Sequence, residues 1–311
     1  MRVITRVPAP AYFGVSAIFH YLGPAFAVLL FANISVLGVA WLRIASAALV
    51  FAVWRRPWRL ISRLDREGRW VLLGLGTVLA AMNSVFYLAI DRLPLSTVGA
   101  VEFLGVIVLA AVGVRSPRNA AALVLAVLGV ATLTDIRLVG EPVGIALAFA
   151  NCALFVLYVI LGHRIAGSGW SGIDQLGASM LIAAVVATPF GIGEAAAAFG
   201  HPLWLLAGVA VGVCSSVIPY VTDQLAMARL RRATFALMLS ILPATATVIG
   251  LLVLAQVPTV QDVLGVGLVM LAVVIHQQEE KADGADPVGV DRHEGVPDLP
   301  GHDELRRSKL A

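Results

Sequence analysis

The sequence predicts an all-α membrane protein with ten transmembrane helices, arranged as two inverted five-helix repeats. Three observations carry that expectation. The 311-residue chain is 59% hydrophobic and only 13% charged, with a mean hydropathy of +0.91, a balance outside the range of water-soluble domains. Apolar runs near the ~20 residues that a spanning helix needs recur along its length. The arginines between those runs collect on alternate connections.

In order, the expected spans are Ala11–Phe31, Ile34–Trp54, Trp70–Ile90, Leu95–Val114, Asn119–Leu133, Val143–Leu161, Ile173–Ile192, Leu203–Met227, Thr234–Ala255 and Val260–His276. Short connections make consecutive helices antiparallel neighbours. With the N-terminus inside, Arg2, Arg6, Arg55, Arg56, Arg59, Arg63, Arg66, Arg69, Arg115, Arg118, Arg164, Arg229, Arg231 and Arg232 all fall on the cytoplasmic side. The other side receives Arg92 and Arg137 among the acids Asp91, Asp135, Glu141, Glu194 and Asp262. That asymmetry obeys the positive-inside rule. A multi-pass protein of the plasma (inner) membrane with both termini cytoplasmic is therefore expected. The formal charge of +3 points to no nucleic acid, because the basic residues are divided among short loops.

A weak internal repeat appears at a shift of 137 residues, which lays Leu88–Thr97 over Leu225–Thr234 with Leu, Ala, Arg, Leu and Thr shared. A shift of 136 residues matches small and apolar positions of Gly38–Val50 with the segment that begins DQLGAS at Asp174. Five spans is an odd number, so the second copy must be inverted in the bilayer. The expected division is 1–138 for the first repeat, 139–276 for the second, and 277–311 for a cytoplasmic tail. That tail is charged and rich in Pro and Gly, the composition of disorder. Inverted repeats of this kind give many secondary transporters their two-sided access, with the site near the midplane.

Depth along the helices, at ~1.5 Å per residue, places the intramembrane polar residues in one layer. Glu102 leads them, an acid with apolar neighbours on both sides; an isolated charge there costs roughly 2.5–3.5 kcal/mol on insertion scales. Arg43, Asn83, Tyr87, Asn151 and Tyr220 are the other candidates for substrate binding or coupling, with His20, Ser215, Ser216 and Asp223 as further possibilities. Each has a plainer role open to it. Ser215, Ser216, Thr245 and Thr247 can bond their own helix backbone, Asn83 and Asn151 can join helices, and His20 can pack beside Tyr21. Arg43 can be a structural counter-ion of Glu102, because a central arginine cannot reach the interface and needs a partner. Asp223 sits near a helix end, where a solvated carboxylate is ordinary. Gly74-x-Gly76 and Gly208-x-x-x-Gly212 permit close helix approach.

Other classes find little support. Cys152 and Cys214 both lie in apolar spans, which suits buried small side chains better than a disulfide. The first apolar run is followed at once by a second, unlike a cleavable leader. The lysines are Lys281 and Lys309, both in the tail, so no phosphate-binding Gly-Lys-Ser/Thr loop exists. No His-Glu-x-x-His pair and no Gly-x-Gly-Asp mark an intramembrane enzyme, and no cofactor is implied. A non-transporting scaffold and a carrier of nucleotide-sugars or drugs stand as alternatives.

The chain resembles the drug/metabolite transporter superfamily, EamA type, and within it the threonine/homoserine exporter branch. The resemblance rests on Trp41-Leu42-Arg43, Pro57-Trp58-Arg59, Phe86-Tyr87-Leu88-Ala89-Ile90, Leu93-Pro94-Leu95, Glu102-Phe103-x-Gly105, Pro219-Tyr220-x-x-Asp223 and Thr234-Phe235. It covers Ala11 to His276. It implies ten spans from two inverted repeats and efflux of small metabolites, notably amino acids, driven by proton exchange. The partners expected are then a small-molecule substrate, protons and the lipid bilayer, with a homodimer as an open oligomeric state. Three positions depart from the branch: Val106 stands for a proline, Leu242-Pro243 for the second repeat's Glu-Pro, and Ala255-Gln256 for Gly-Glu. Glu102 is left as the one carboxylate deep in the layer.

Overall fold

The computed structural model describes residues 9–113, 116–134, 141–166, 172–227 and 241–283. Every regular element among them is helical: α1 (Ala9–Leu30), α2 (Val36–Arg55), α3 (Trp58–Arg63), α4 (Arg66–Ile90), α5 (Leu95–Gly113), α6 (Pro117–Thr134), α7 (Pro142–Ala166), α8 (Gly172–Gly191), α9 (Ala196–Phe199), α10 (Pro202–Gly212), a π-helical turn (Val213–Val217), α11 (Ile218–Met227), α12 (Leu242–Leu254) and α13 (Val260–Asp283). Six stretches are long and apolar enough to cross a membrane, and four further apolar helices are shorter. Each overlaps one expected span. The start of the expected ninth span, the basic residues Arg229, Arg231 and Arg232, and the junction at 138–139 lie outside the described residues. So do residues 284–311. α13 runs on to Asp283, past the expected end at His276.

Local chemistry sets many of the helix ends. The Ser35 hydroxyl accepts from the Gly38 N–H at 3.3 Å and the Asp65 carboxylate from the Gly68 N–H at 2.9 Å, capping α2 and α4. Thr259 and Asp262 cap α13 reciprocally: the Thr259 N–H donates to Asp262 at 2.9 Å, and the Asp262 N–H to the Thr259 hydroxyl at 3.2 Å. Pro117, Pro142 and Pro202 stand first in α6, α7 and α10, where a missing N–H is harmless.

Small residues decide which helices touch. A Cβ on Gly212 would strike the Ser46 hydroxyl and lie 2.6 Å from the Arg43 carbonyl, so α10 lies directly on α2. Gly191 meets Trp41 in the same manner, and the Trp41 indole N–H donates to Thr188 at 2.9 Å, fixing α2 to α8. Arg55 closes the far end of that pair on Asp174 at 2.7 Å. Elsewhere α4 packs on α7 and α8, α1 on α11 and α12, α5 on α7 and α12, and α6 on α13. The core is apolar, and so is the outer surface, unlike that of a soluble protein. Val53, Phe190, Leu203 and Leu252 are more than two-thirds exposed, while Arg43, Asn83, Asn151, Ser215 and Ser216 are buried. An apolar outer surface with the polar groups held inside is what lipid as solvent demands.

Candidate functional site

The site is built around a break in the eighth apolar segment. Pro219 carries no N–H, so the Ser215 carbonyl lacks its α-helical donor four residues on, and the proline ring crowds that carbonyl. The helix widens into the π-helical turn Val213–Val217, where the Ile218 N–H reaches the Val213 carbonyl five residues back. The freed Ser215 carbonyl accepts from Arg43 Nη2 at 3.3 Å, and the Ser216 hydroxyl accepts from Arg43 Nε at 3.0 Å. The guanidinium also lies over the Tyr87 ring, 5.1 Å from its centroid. Neutral dipoles and a π face thus hold the arginine.

Glu102 does not close an ion pair with it. Among the described residues the ion pairs within 4.0 Å are Arg55–Asp174 and Arg92–Glu141. The two central charges lie within electrostatic range of each other, with Asn151 beside the carboxyl group. Glycines on α5 allow that neighbourhood: a Cβ on Gly99 would stand 3.1 Å from the Tyr21 hydroxyl, and one on Gly105 2.8 Å from Cys152 Sγ. Both glycines are one turn from Glu102, so Tyr21 of α1 and the Asn151–Cys152 step of α7 flank it. Gly23 packs on the Ser215 backbone, which brings His20 and Tyr21 against the π-helical turn. His20 meets the Tyr21 ring edge-on at 5.3 Å.

Among the described residues the buried hydroxyls of Tyr21, Tyr87, Thr97 and Ser215 have no hydrogen-bonding partner, and the Asn151 amide lies against the Glu102 carboxyl group. Left dry, each such atom costs about 1–3 kcal/mol, so a set of them inside one protein calls for water or a polar ligand. The arrangement offers a cation, an acid, an amide and several hydroxyls converging from α1, α2, α4, α5, α7 and the π-helical turn.

The other candidates divide. Tyr220, on the first turn of α11, is electrostatically coupled to Arg43, Glu102 and Asp223. Asp223 lies one turn further, beyond Pro219, whose carbonyl accepts from the Ser16 hydroxyl at 3.2 Å. Asn83 donates to the Leu79 carbonyl of its own helix at 2.7 Å, and Thr245 and Thr247 likewise donate to Ile241 and Pro243. Tyr21 and Thr97 were not among the sequence candidates. The signal available for them was modest: a tyrosine beside His20, and a threonine shared by the two repeats.

These features define a multi-pass α-helical membrane protein with buried polar side chains between its helices. The chain belongs to the EamA-like transporter family, whose model matches residues 142–276. It is 33% identical over 256 residues to the threonine/homoserine exporter RhtA of Escherichia coli strain K12, covering 80% of this chain and 84% of that one. It is 34% identical over 253 residues to RhtA of Salmonella typhimurium strain SL1344, with the same coverage. A solved crystal structure, 17% identical, superposes with a TM-score of 0.56 over 87% of this chain and 96% of the other, which shows a shared fold.

Proposed function

We propose that this protein is a secondary active transporter that exports small polar metabolites of the amino-acid class, threonine- or homoserine-like, by alternating access in exchange for protons. The observation that carries the reading is the open pair of opposite charges, Arg43 and Glu102, among buried hydroxyls without a partner, with the Asn151 amide beside Glu102. In this mechanism the Arg43 guanidinium takes the substrate carboxylate and Glu102 takes its ammonium group or, in the exchange step, a proton. Tyr87, Asn151 and Tyr220 orient the backbone of the substrate. The names of the relatives support the direction and the substrate class.

The architecture proposed is ten spans in two inverted halves, 1–138 and 139–276, with both termini and the tail on the cytoplasmic side of the inner membrane. The packing pattern supports it. Taking α10, the π-helical turn and α11 as one segment, a shift of five segments carries the α4–α7 contact onto α1–α11. It carries α4–α8 onto α2–α10, and α5–α7 onto α1–α12. The pairs α2–α8, α5–α12 and α6–α13 join each segment to its own counterpart.

The test is counterflow in proteoliposomes preloaded with unlabelled solute. Labelled threonine and homoserine are expected to accumulate transiently, and a proton gradient, acid inside, to drive them into everted vesicles, whose lumen corresponds to the cell exterior. If a nucleotide-sugar exchanges and no amino acid does, the substrate class is wrong. If nothing in the panel moves in either assay, the scaffold alternative takes its place.

A further inference from the structure

Where α2 ends, the chain turns into α3 and opens a cleft of about 510 Å³. Arg55, Arg56, Arg59 and Arg63 line it, with Trp54 and Asp174. Asp174 is already paired with Arg55 at 2.7 Å, and arginine outnumbers acid on the wall. Arg56 and Arg59 point their charge into solvent-accessible space.

An arginine-rich loop is ordinary on the side that the proposed topology makes cytoplasmic. Two features make this one a built site. First, α3 is fixed: Leu60, 2% exposed, sits in a cluster with Leu64, Leu72, Leu75 and Ala178. That anchoring holds Trp58, Arg59 and Arg63 outward in a set arrangement. Second, Arg56 adopts φ 52°, ψ 60° at the end of α2, a left-handed conformation in which glycine carries no strain and arginine does. The turn sets Arg56 on the same cleft wall as Arg59. The rim supplies the remaining chemistry. Val53 is 75% exposed, and Trp54 and Trp58 are each about half exposed. Tryptophan prefers the headgroup level of a membrane, with its ring among the upper acyl carbons.

We propose that this cleft binds a phosphate-bearing anionic headgroup, its phosphoryl oxygens held by the guanidinium forks of Arg56 and Arg59 and its apolar part lying along Trp54 and Val53. Planar guanidinium groups match phosphate oxygens two at a time, which a point charge cannot do. The occupant would sit across the seam between α2 and α8, the helix pair already joined there by Arg55 and Asp174.

Native mass spectrometry of the full-length protein in detergent tests this directly. The probes are dioleoylphosphatidylglycerol, dioleoylphosphatidylcholine and glycerol 3-phosphate. Phosphatidylglycerol is expected to be retained in preference to phosphatidylcholine. The Arg56→Gln, Arg59→Gln double variant should lose one bound lipid, with affinity at that site down about tenfold or more. Displacement by glycerol 3-phosphate would mean that the phosphate group suffices and a soluble phosphate ester is the ligand. Failure to displace would assign the site to lipid. If the double variant does not accumulate, Arg56→Gly serves instead, because glycine takes the left-handed turn freely. It should raise the lipid-free melting temperature while weakening phosphatidylglycerol retention. Equal retention of the two lipids, or a preference unchanged by these substitutions, overturns the proposal.

Discussion

Arg43 is held by uncharged partners, and this leaves its positive charge uncompensated by any acid within bonding distance. The consequence is an asymmetry between the two central charges. In a closed buried pair, removing the acid would strand the arginine and destabilise the fold by about 3–5 kcal/mol. Here Arg43 keeps Ser216, the Ser215 carbonyl and the Tyr87 ring without Glu102. Glu102→Gln is therefore expected to reach the membrane at wild-type levels while exchange falls by about 10- to 150-fold, the worth of one charged hydrogen bond. Expression beside counterflow checks both halves of that statement, and normal exchange in the variant would remove Glu102 from the mechanism. At this scale much was legible in the sequence. Hydropathy gives depth, and depth picks out Arg43, Glu102, Asn151, Ser215 and Ser216. What depth does not give is helix rotation, so Asn83 could not be told from Asn151 in advance. One bonds its own helix, and the other lies beside the Glu102 carboxyl group.

Among the elements, the π-helical turn is the one the site depends on, and Pro219 is its cause. Pro219→Ala would supply an N–H to the Ser215 carbonyl, close the α-helix, and compete with Arg43 Nη2 for that acceptor. The expected outcome is a folded protein with substrate affinity weakened roughly tenfold, the scale of one hydrogen bond to a charged group, read by substrate-dependent thermal shift. Close helix contact makes a separate prediction. Gly212→Ala drives a methyl group into Ser46 and the Arg43 backbone, and overpacking of that kind costs about 1–3 kcal/mol. Gly14→Ala meets no atom within 4 Å and serves as the control. A lower melting temperature for Gly212→Ala with none for Gly14→Ala is the expected pair of results. A proline within an apolar run announces a disturbance, but kink and π-bulge look alike in sequence. Short α3 and α9 were likewise not anticipated, since six and four residues leave no span-length signal.

For the whole molecule, the number and order of apolar segments follow from hydropathy and arginine placement, because lipid imposes both. Which segments touch does not follow, because helices apolar on every side carry no stripe to mark the buried face. The glycines at 191 and 212 carry part of that information, legible only once the partner helix is known. Topology is open to a direct check. Cysteines replacing Arg59 and Arg92 should react with a membrane-impermeant reagent from opposite sides, and labelling of both in intact cells would contradict the ten-span arrangement. Truncation after Asp283 removes a charged, proline- and glycine-containing segment with few large apolar residues, and exchange rates should be unchanged by it.

The account's central claim is that the site reads both charges of one small molecule, a carboxylate at Arg43 and an ammonium group at Glu102. Counterflow in proteoliposomes with three labelled solutes of nearly one shape tests it most directly: threonine, threoninol, which lacks the carboxylate, and 2,3-dihydroxybutyrate, in which a hydroxyl replaces the ammonium group. Wild-type protein is expected to exchange threonine and to discriminate against each analogue by about tenfold or more, as a site does when a buried polar group is left unpaired. Glu102→Gln should narrow the gap between threonine and 2,3-dihydroxybutyrate while leaving the discrimination against threoninol in place. Equal exchange of all three solutes by the wild-type protein would contradict the claim.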